Sequence, residues 1–351
     1  MNHKAYWRYQ FVRDWPLLLT LLAVEVLFSL IALLSSLTPT PSISSYAQTL
    51  FLLTLYPSFA LSYLYPLWHK SKLWNRRSAD LYLGLPINKK GLYLDDLFLG
   101  LAEMLALFTI SYCFGLLFAP LSGAHLWIDP AAGGWGLAMG LLLIATGYGL
   151  SSGIVSCANN AFDASVFLVL FLLGEIVLTY ELGTYLPSTC SSAYSYGSCT
   201  SRTDYAFAPY AFHHALLDHT YDTYGLYNDV AIPPWVIVIH ILSGIISAIL
   251  GYFLSRDWRA EKAQTPSKSW YGYPLFSVLP LAFLVGLEFP YFFSDTNWSV
   301  PLALWAIGTL LYAVLNFIGE RKIRFGWKNI LFYLGGLSFG YLFAFLMWHY
   351  V

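Results

Sequence analysis

Apolar residues in this chain do not alternate with polar ones. They run in blocks of about twenty, divided by short polar stretches, a pattern that reads as membrane helix rather than strand. The blocks lie at 16–36, 49–68, 97–120, 135–157, 164–183, 235–254, 275–293, 299–318 and 329–349. A hydrocarbon core of about 30 Å needs roughly 20 residues of helix. Backbone facing lipid must satisfy its own hydrogen bonds, and barrel strands are shorter and alternate, so the nine blocks predict nine membrane-spanning helices. Between 275 and 318 only a few residues around Asp295 and Asn297 separate two blocks, and a re-entrant hairpin is the alternative there.

Charge sets the direction. Charged residues make up 11% of the chain, against about 25% in soluble domains, and the net charge of −1 offers no basic surface to nucleic acid. With a cytoplasmic N-terminus and nine alternating spans, 17 of the 18 Lys and Arg residues fall on the cytoplasmic side, and only Arg202 lies outside. Basic residues near span ends are retained in the cytoplasm. The partition therefore predicts a multi-pass protein of the plasma membrane with an extracellular C-terminus. The first block is too long for a cleaved secretory signal and lacks a small-residue cleavage site. Before it, Trp7, Phe11 and Trp15 recur every four residues beside Lys4 and Arg8, which predicts an interfacial amphipathic helix over 1–15.

Two connections are long: a cytoplasmic one at 69–96 and an outer one at 184–234. In the first, Pro86 interrupts a helix and Asn88 can cap a new one that runs into the third span. A short apolar elbow flanked by cations is suited to docking in a groove of another protein. Its residues Asp80, Leu85, Pro86, Ile87, Lys89 and Lys90 follow the pattern D-x-x-x-x-L-P-[IV]-x-[RK]-[RK]. In that place after a second span, the pattern resembles the permeases of bacterial ABC-2-type exporters, especially Gram-positive ones. A basic, Glu-containing stretch after the sixth span, Arg256 to Lys262, is similar to the same group.

The resemblance covers 1–262 and implies an all-α integral membrane fold. It would comprise the interfacial helix and a six-span permease core over 16–254 with a cytoplasmic coupling elbow and a large outer loop; the cytoplasmic linker and three-span extension that follow over 255–351 depart from the minimal six-span permease of that group. It also implies a function: export of a hydrophobic or amphipathic substrate such as an antimicrobial peptide, toxin or lipid-like compound. ATP and Mg²⁺ would be bound by separate ATP-binding subunits docking near Lys72, Arg76, Arg77, Asp80, Leu85, Pro86, Ile87, Lys89 and Lys90, with a second permease chain and membrane lipids as the other partners. The chain has no G-x-x-x-x-G-K-[ST] of its own, and no nucleophile–base set, so no enzyme activity and no bound cofactor are expected of it.

Glu25, Glu103, Glu175 and Glu288 fall inside predicted spans. A charge at the bilayer centre costs about 2.5–3.5 kcal/mol on insertion scales, so these carboxylates are expected to face a cavity or a partner. Their other reading, a proton- or sodium-coupled secondary transporter, is the alternative function. Cys190 and Cys199 enclose eight residues on the oxidising side and predict a disulfide rather than two free thiols. In the same loop His213, His214, Asp218, His219 and Asp222 include donors suited to zinc, but they read as part of a polar, aromatic outer segment, and no metal site is predicted.

Overall fold

The computed structural model describes residues 3–36, 45–85, 87–118, 130–185, 234–265, 267, 273–294, 299–320 and 326–350. All regular structure among the described residues is helical: α1 His3–Ser36, α2 Ser45–Trp74, α3 Arg76–Leu83, α4 Lys89–Phe118, α5 Pro130–Val155, α6 Ala161–Tyr185, α7 Pro234–Leu254, α8 Tyr273–Ser294, α9 Ser299–Glu320 and α10 Trp327–Tyr350. Each of the nine apolar blocks coincides with one of these helices. Five helical segments, His3–Leu34, Lys89–Phe118, Gly133–Val155, Ile237–Asp257 and Leu302–Gly319, are long and apolar enough to cross a membrane.

The outer surface carries the same message. Leu27, Leu34, Ile246, Leu310 and Phe317 are at least half exposed. A water-soluble monomer does not present an apolar face of that extent, so the pattern is consistent with a multi-pass membrane protein.

The first helix departs from the expected break. Residues 3–36 form one helix that runs through Pro16, so the amphipathic stretch at 1–15 continues into the first apolar block. Trp7, Phe11 and Trp15 are exposed, while Tyr6, Gln10 and Asp14 on the adjacent face are fully buried. Those three recur every four residues, one above another on a single helical face. Their polar contacts, given below, fasten this face to α2 and α4.

Helices α1, α2 and α4 pack mutually, α2 and α4 also pack on α5, and α5 packs on α7. The α5–α7 seam is built of small residues, with Thr146, Gly149 and Gly153 facing Gly244, Ser247 and Gly251. A Cβ added at Gly244 would lie 2.6 Å from the Thr146 carbonyl oxygen, so the two backbones touch as small-residue helix pairs do. Gly140 meets the ring of Phe108 and Gly147 meets Ser62 and Tyr63, so the glycines of α5 admit neighbours on several sides.

The last two helices, α9 and α10, pack on α8, which also contacts α6 of the preceding bundle. At that joint the carboxylate of Asp163 accepts from the Tyr273 hydroxyl at 2.6 Å, the Ser267 amide at 2.8 Å and the Asn160 side chain at 2.9 Å.

Candidate functional site

Where α1, α2 and α4 meet near the N-terminus of α1, their facing polar side chains form a buried network. The sequence places it by register. Asp96, Gly100 and Glu103 line one face of α4, and Tyr65, His69 and Lys72 line one face of α2. Lys72 Nζ donates to Asp96 Oδ1 at 2.8 Å and to the Tyr6 hydroxyl at 2.6 Å, and Tyr6 in turn donates to Asp96 Oδ1 at 2.6 Å. Gln10 Nε2 donates to the Tyr6 hydroxyl at 2.7 Å. Burial pulls the Lys72 ammonium below its ordinary value, and Asp96 opposes that only in part.

One turn away, His69 Nε2 lies 3.2 Å from both Asp14 Oδ2 and Glu103 Oε2. Asp14 is held by Arg13, whose Nε donates to Oδ1 at 2.8 Å, and by Trp68 Nε1 at 3.2 Å. Glu103 Oε2 accepts from the Tyr65 hydroxyl at 2.8 Å. The imidazole is wedged between the Tyr65 ring, with centroids 4.8 Å apart, and Gly100, where a Cβ would sit 3.2 Å from His69 Cε1. Burial works against protonation of His69, but the hydrogen bonds it donates to Asp14 and Glu103 outweigh that and lift the imidazole above its ordinary value. Arg13 thus answers Asp14 and Lys72 answers Asp96, while Glu103 has only a hydroxyl and an imidazole. Gln10 Oε1, His69 Nδ1, Asp96 Oδ2 and Glu103 Oε1 are buried with no hydrogen-bond partner among the described residues.

Glu25, further along α1, occupies a different setting. It is 1% exposed and accepts from Ser58 at 2.6 Å and Ser111 at 3.0 Å. Of the four carboxylates singled out in the sequence, Glu103 belongs to the His69 network and Glu25 lies apart from it. The side chains of Glu175 and Glu288 lie outside the described residues, as do Pro86, Cys190, Cys199 and the outer His213, His214, Asp218, His219 and Asp222. Cys113 and Cys157 are free thiols.

The elbow residues divide into outward and inward sets. Asn75 caps α3 by accepting from the Arg77 amide at 3.1 Å, and Arg76, Arg77, Asp80 and Leu81 on this helix are exposed. Tyr82 is buried with Tyr6 and Leu92, and Leu85 and Ile87 pack against that small core from its edge. Lys72 is spent inside the network, Lys89 Nζ donates to the Trp258 carbonyl at 2.5 Å, and Lys90 lies over the rings of Tyr252 and Phe253. The two stretches that carry the family resemblance therefore touch each other. Beside them, Lys70 is buried over the rings of Tyr93 and Trp258 and donates to Ser156 and the Ser152 carbonyl, and burial pushes its ammonium down to about 7.

The sequence alone singled out Glu103 but not Tyr6, Asp14, His69 or Asp96. The signal was there in the four-residue recurrence of Tyr6, Gln10 and Asp14 beside the aromatic stripe, and in the seven-residue step from Asp96 to Glu103. Comparison with protein-family models, curated proteins and solved structures gave no match to this chain.

Proposed function

We propose that this chain is the transmembrane permease subunit of an ATP-driven exporter of the ABC-2 type, moving a hydrophobic or amphipathic substrate with energy from separate ATP-binding subunits. The observation that carries the reading is α3, a short helix that turns Arg76, Arg77, Asp80 and Leu81 outward and keeps Ala79 and Tyr82 inward. It stands beside the basic stretch after α7, on the side to which the positive-inside rule assigns the cytoplasm. An exposed amphipathic helix clamped to the spans is the device by which closure of a neighbouring ATPase pair could be transmitted to α2 and α4. The resemblance in the elbow and after the sixth span supports the same reading, as does the match between the nine apolar blocks and nine helices. In this reading two such chains pair, the docking surface is Arg76, Arg77, Asp80 and Leu81, and Lys72, Leu85, Ile87, Lys89 and Lys90 hold the elbow in place.

The test is capture of ATP-binding cassette subunits with this chain from the cells that make it, identified by mass spectrometry. Reversing Arg76 and Arg77 to Glu together with Leu81→Glu is expected to abolish capture of the ATPase while leaving the permease folded by size-exclusion profile. Full capture by that triple variant sinks the docking assignment.

One observation favours a second reading, a proton- or sodium-coupled transporter: the imidazole of His69 set between two carboxylates at 3.2 Å. Transport in vesicles containing this chain alone, driven by an ion gradient and indifferent to ATP, would establish it over the first.

A further inference from the structure

We propose that Asp14, His69 and Glu103 form a binding site for a divalent transition-metal ion, one ligand from each of α1, α2 and α4. The proposal stands apart from the question of what energises transport.

Each of these residues offers one ligand atom, and the three atoms lie within 4.8 Å of one another. The His69 nitrogen is 3.2 Å from an oxygen of each carboxylate. An ion bound at about 2.0–2.1 Å in tetrahedral geometry holds its ligands about 3.3 Å apart, which the two distances from His69 already match, while the two carboxylate oxygens lie within 4.8 Å of each other. One imidazole and two carboxylates are a donor set that these ions accept, and two carboxylates neutralise a divalent charge in a place that cannot tolerate an excess of either sign.

The surroundings supply what a metal site needs beyond its ligands. Arg13 and Trp68 orient the Asp14 carboxylate, Tyr65 orients Glu103, and Gly100 with the Tyr65 ring fixes the plane of His69. Independently of the clustering, Glu103 Oε1 is fully buried without a hydrogen-bond partner among the described residues. A buried carboxylate oxygen left unpaired is costly, and a bound cation, taking the place of the proton on His69, would offset that cost. Three ligands leave a fourth position open to water or to another donor.

The experiment uses the full chain purified in detergent and stripped with a chelator, with Co²⁺ as probe. Visible ligand-field absorption saturating at one Co²⁺ per chain, and bleached by Zn²⁺, is expected. His69→Gln and Glu103→Gln should each weaken Co²⁺ binding at least tenfold. Because either change could unfold the protein, His69→Cys provides the second arm. It keeps a ligand, and its Co²⁺ complex should gain thiolate charge-transfer absorption in the near ultraviolet. Absence of ligand-field bands in the wild-type chain overturns the proposal, as does binding that His69→Gln leaves unchanged or a His69→Cys complex without the thiolate band. The ATPase capture described above is read separately, so either result can fail without the other.

Discussion

The ammonium of Lys89 donates to the backbone carbonyl of Trp258 at 2.5 Å, across 169 residues of sequence. Trp258 is itself pinned, its indole N–H donating to the Ser156 carbonyl at 3.1 Å. The elbow before α4 is thus fastened to the exit of α7 and, through it, to the end of α5. A force applied at α3 has a short route into three helices.

Loosening that fastening should be local. Lys89→Met removes one partly buried charged hydrogen bond, a contribution of about 1–2 kcal/mol. Amide exchange over residues 83–92 is expected to quicken several-fold, with exchange in α5 unchanged. Uniform acceleration through the bundle would show that the contact governs global stability instead.

Lys72 and Asp96 should behave as a pair. Lys72→Met leaves the Asp96 carboxylate buried without its cation and is expected to cost roughly 3–5 kcal/mol. Adding Asp96→Asn to that variant should return most of the loss, since Tyr6 can still donate to the amide oxygen. Thermal denaturation of the single and double variants measures it, and additive losses would mean that the two groups are not coupled.

Glu25 is expected to act as a hydroxyl acceptor only. Glu25→Gln keeps an oxygen for Ser58 or Ser111 and should lower stability by no more than about 1 kcal/mol, whereas Glu25→Leu takes this acceptor from Ser58, leaves Ser111 the Phe108 carbonyl, and should cost about 2–3 kcal/mol. Transport by Glu25→Gln near the wild-type rate follows from the exporter reading. Complete loss of transport in a folded Gln variant would argue for a coupled proton.

The α5–α7 seam makes the sharpest steric prediction. Gly244→Leu must push the helices apart, because a first carbon there already meets Thr146 at 2.6 Å, and no folded protein is expected from it. Gly134→Ala at the start of α5 meets nothing within 4 Å and should match the wild type in yield and melting temperature.

The helices were legible because lipid leaves few choices: an apolar block of twenty residues between polar stretches has to be helical, and so each block became one. In α5 the small residues let neighbours approach, and Gly140, Gly147 and Gly149 all lie against them. The polar network was not legible, because its members sit at block edges, where a charge ordinarily means water. Asp14 and His69 each stand beside an apolar block and read as boundary residues. Only the pairing of α1 with α4 and α2, which no local pattern specifies, turns them inward. The same pairing carries α1 past Pro16, where the amphipathic stripe alone placed a separate interfacial segment.

Asp163 receives hydrogen bonds from Tyr273 and Ser267, both of which precede or begin the final three-helix group. That carboxylate lies in the first turn of α6, so the bundle keeps an acid whose needs are met from further along the chain. During synthesis α6 is made about a hundred residues before its partners, and until they arrive Asp163 has Asn160 and water to rely on. Docking of α8 then completes the set of donors on that carboxylate. Deleting everything beyond 265 should leave a bundle that inserts but is turned over quickly, and Asp163→Asn in that shortened chain should lengthen its lifetime.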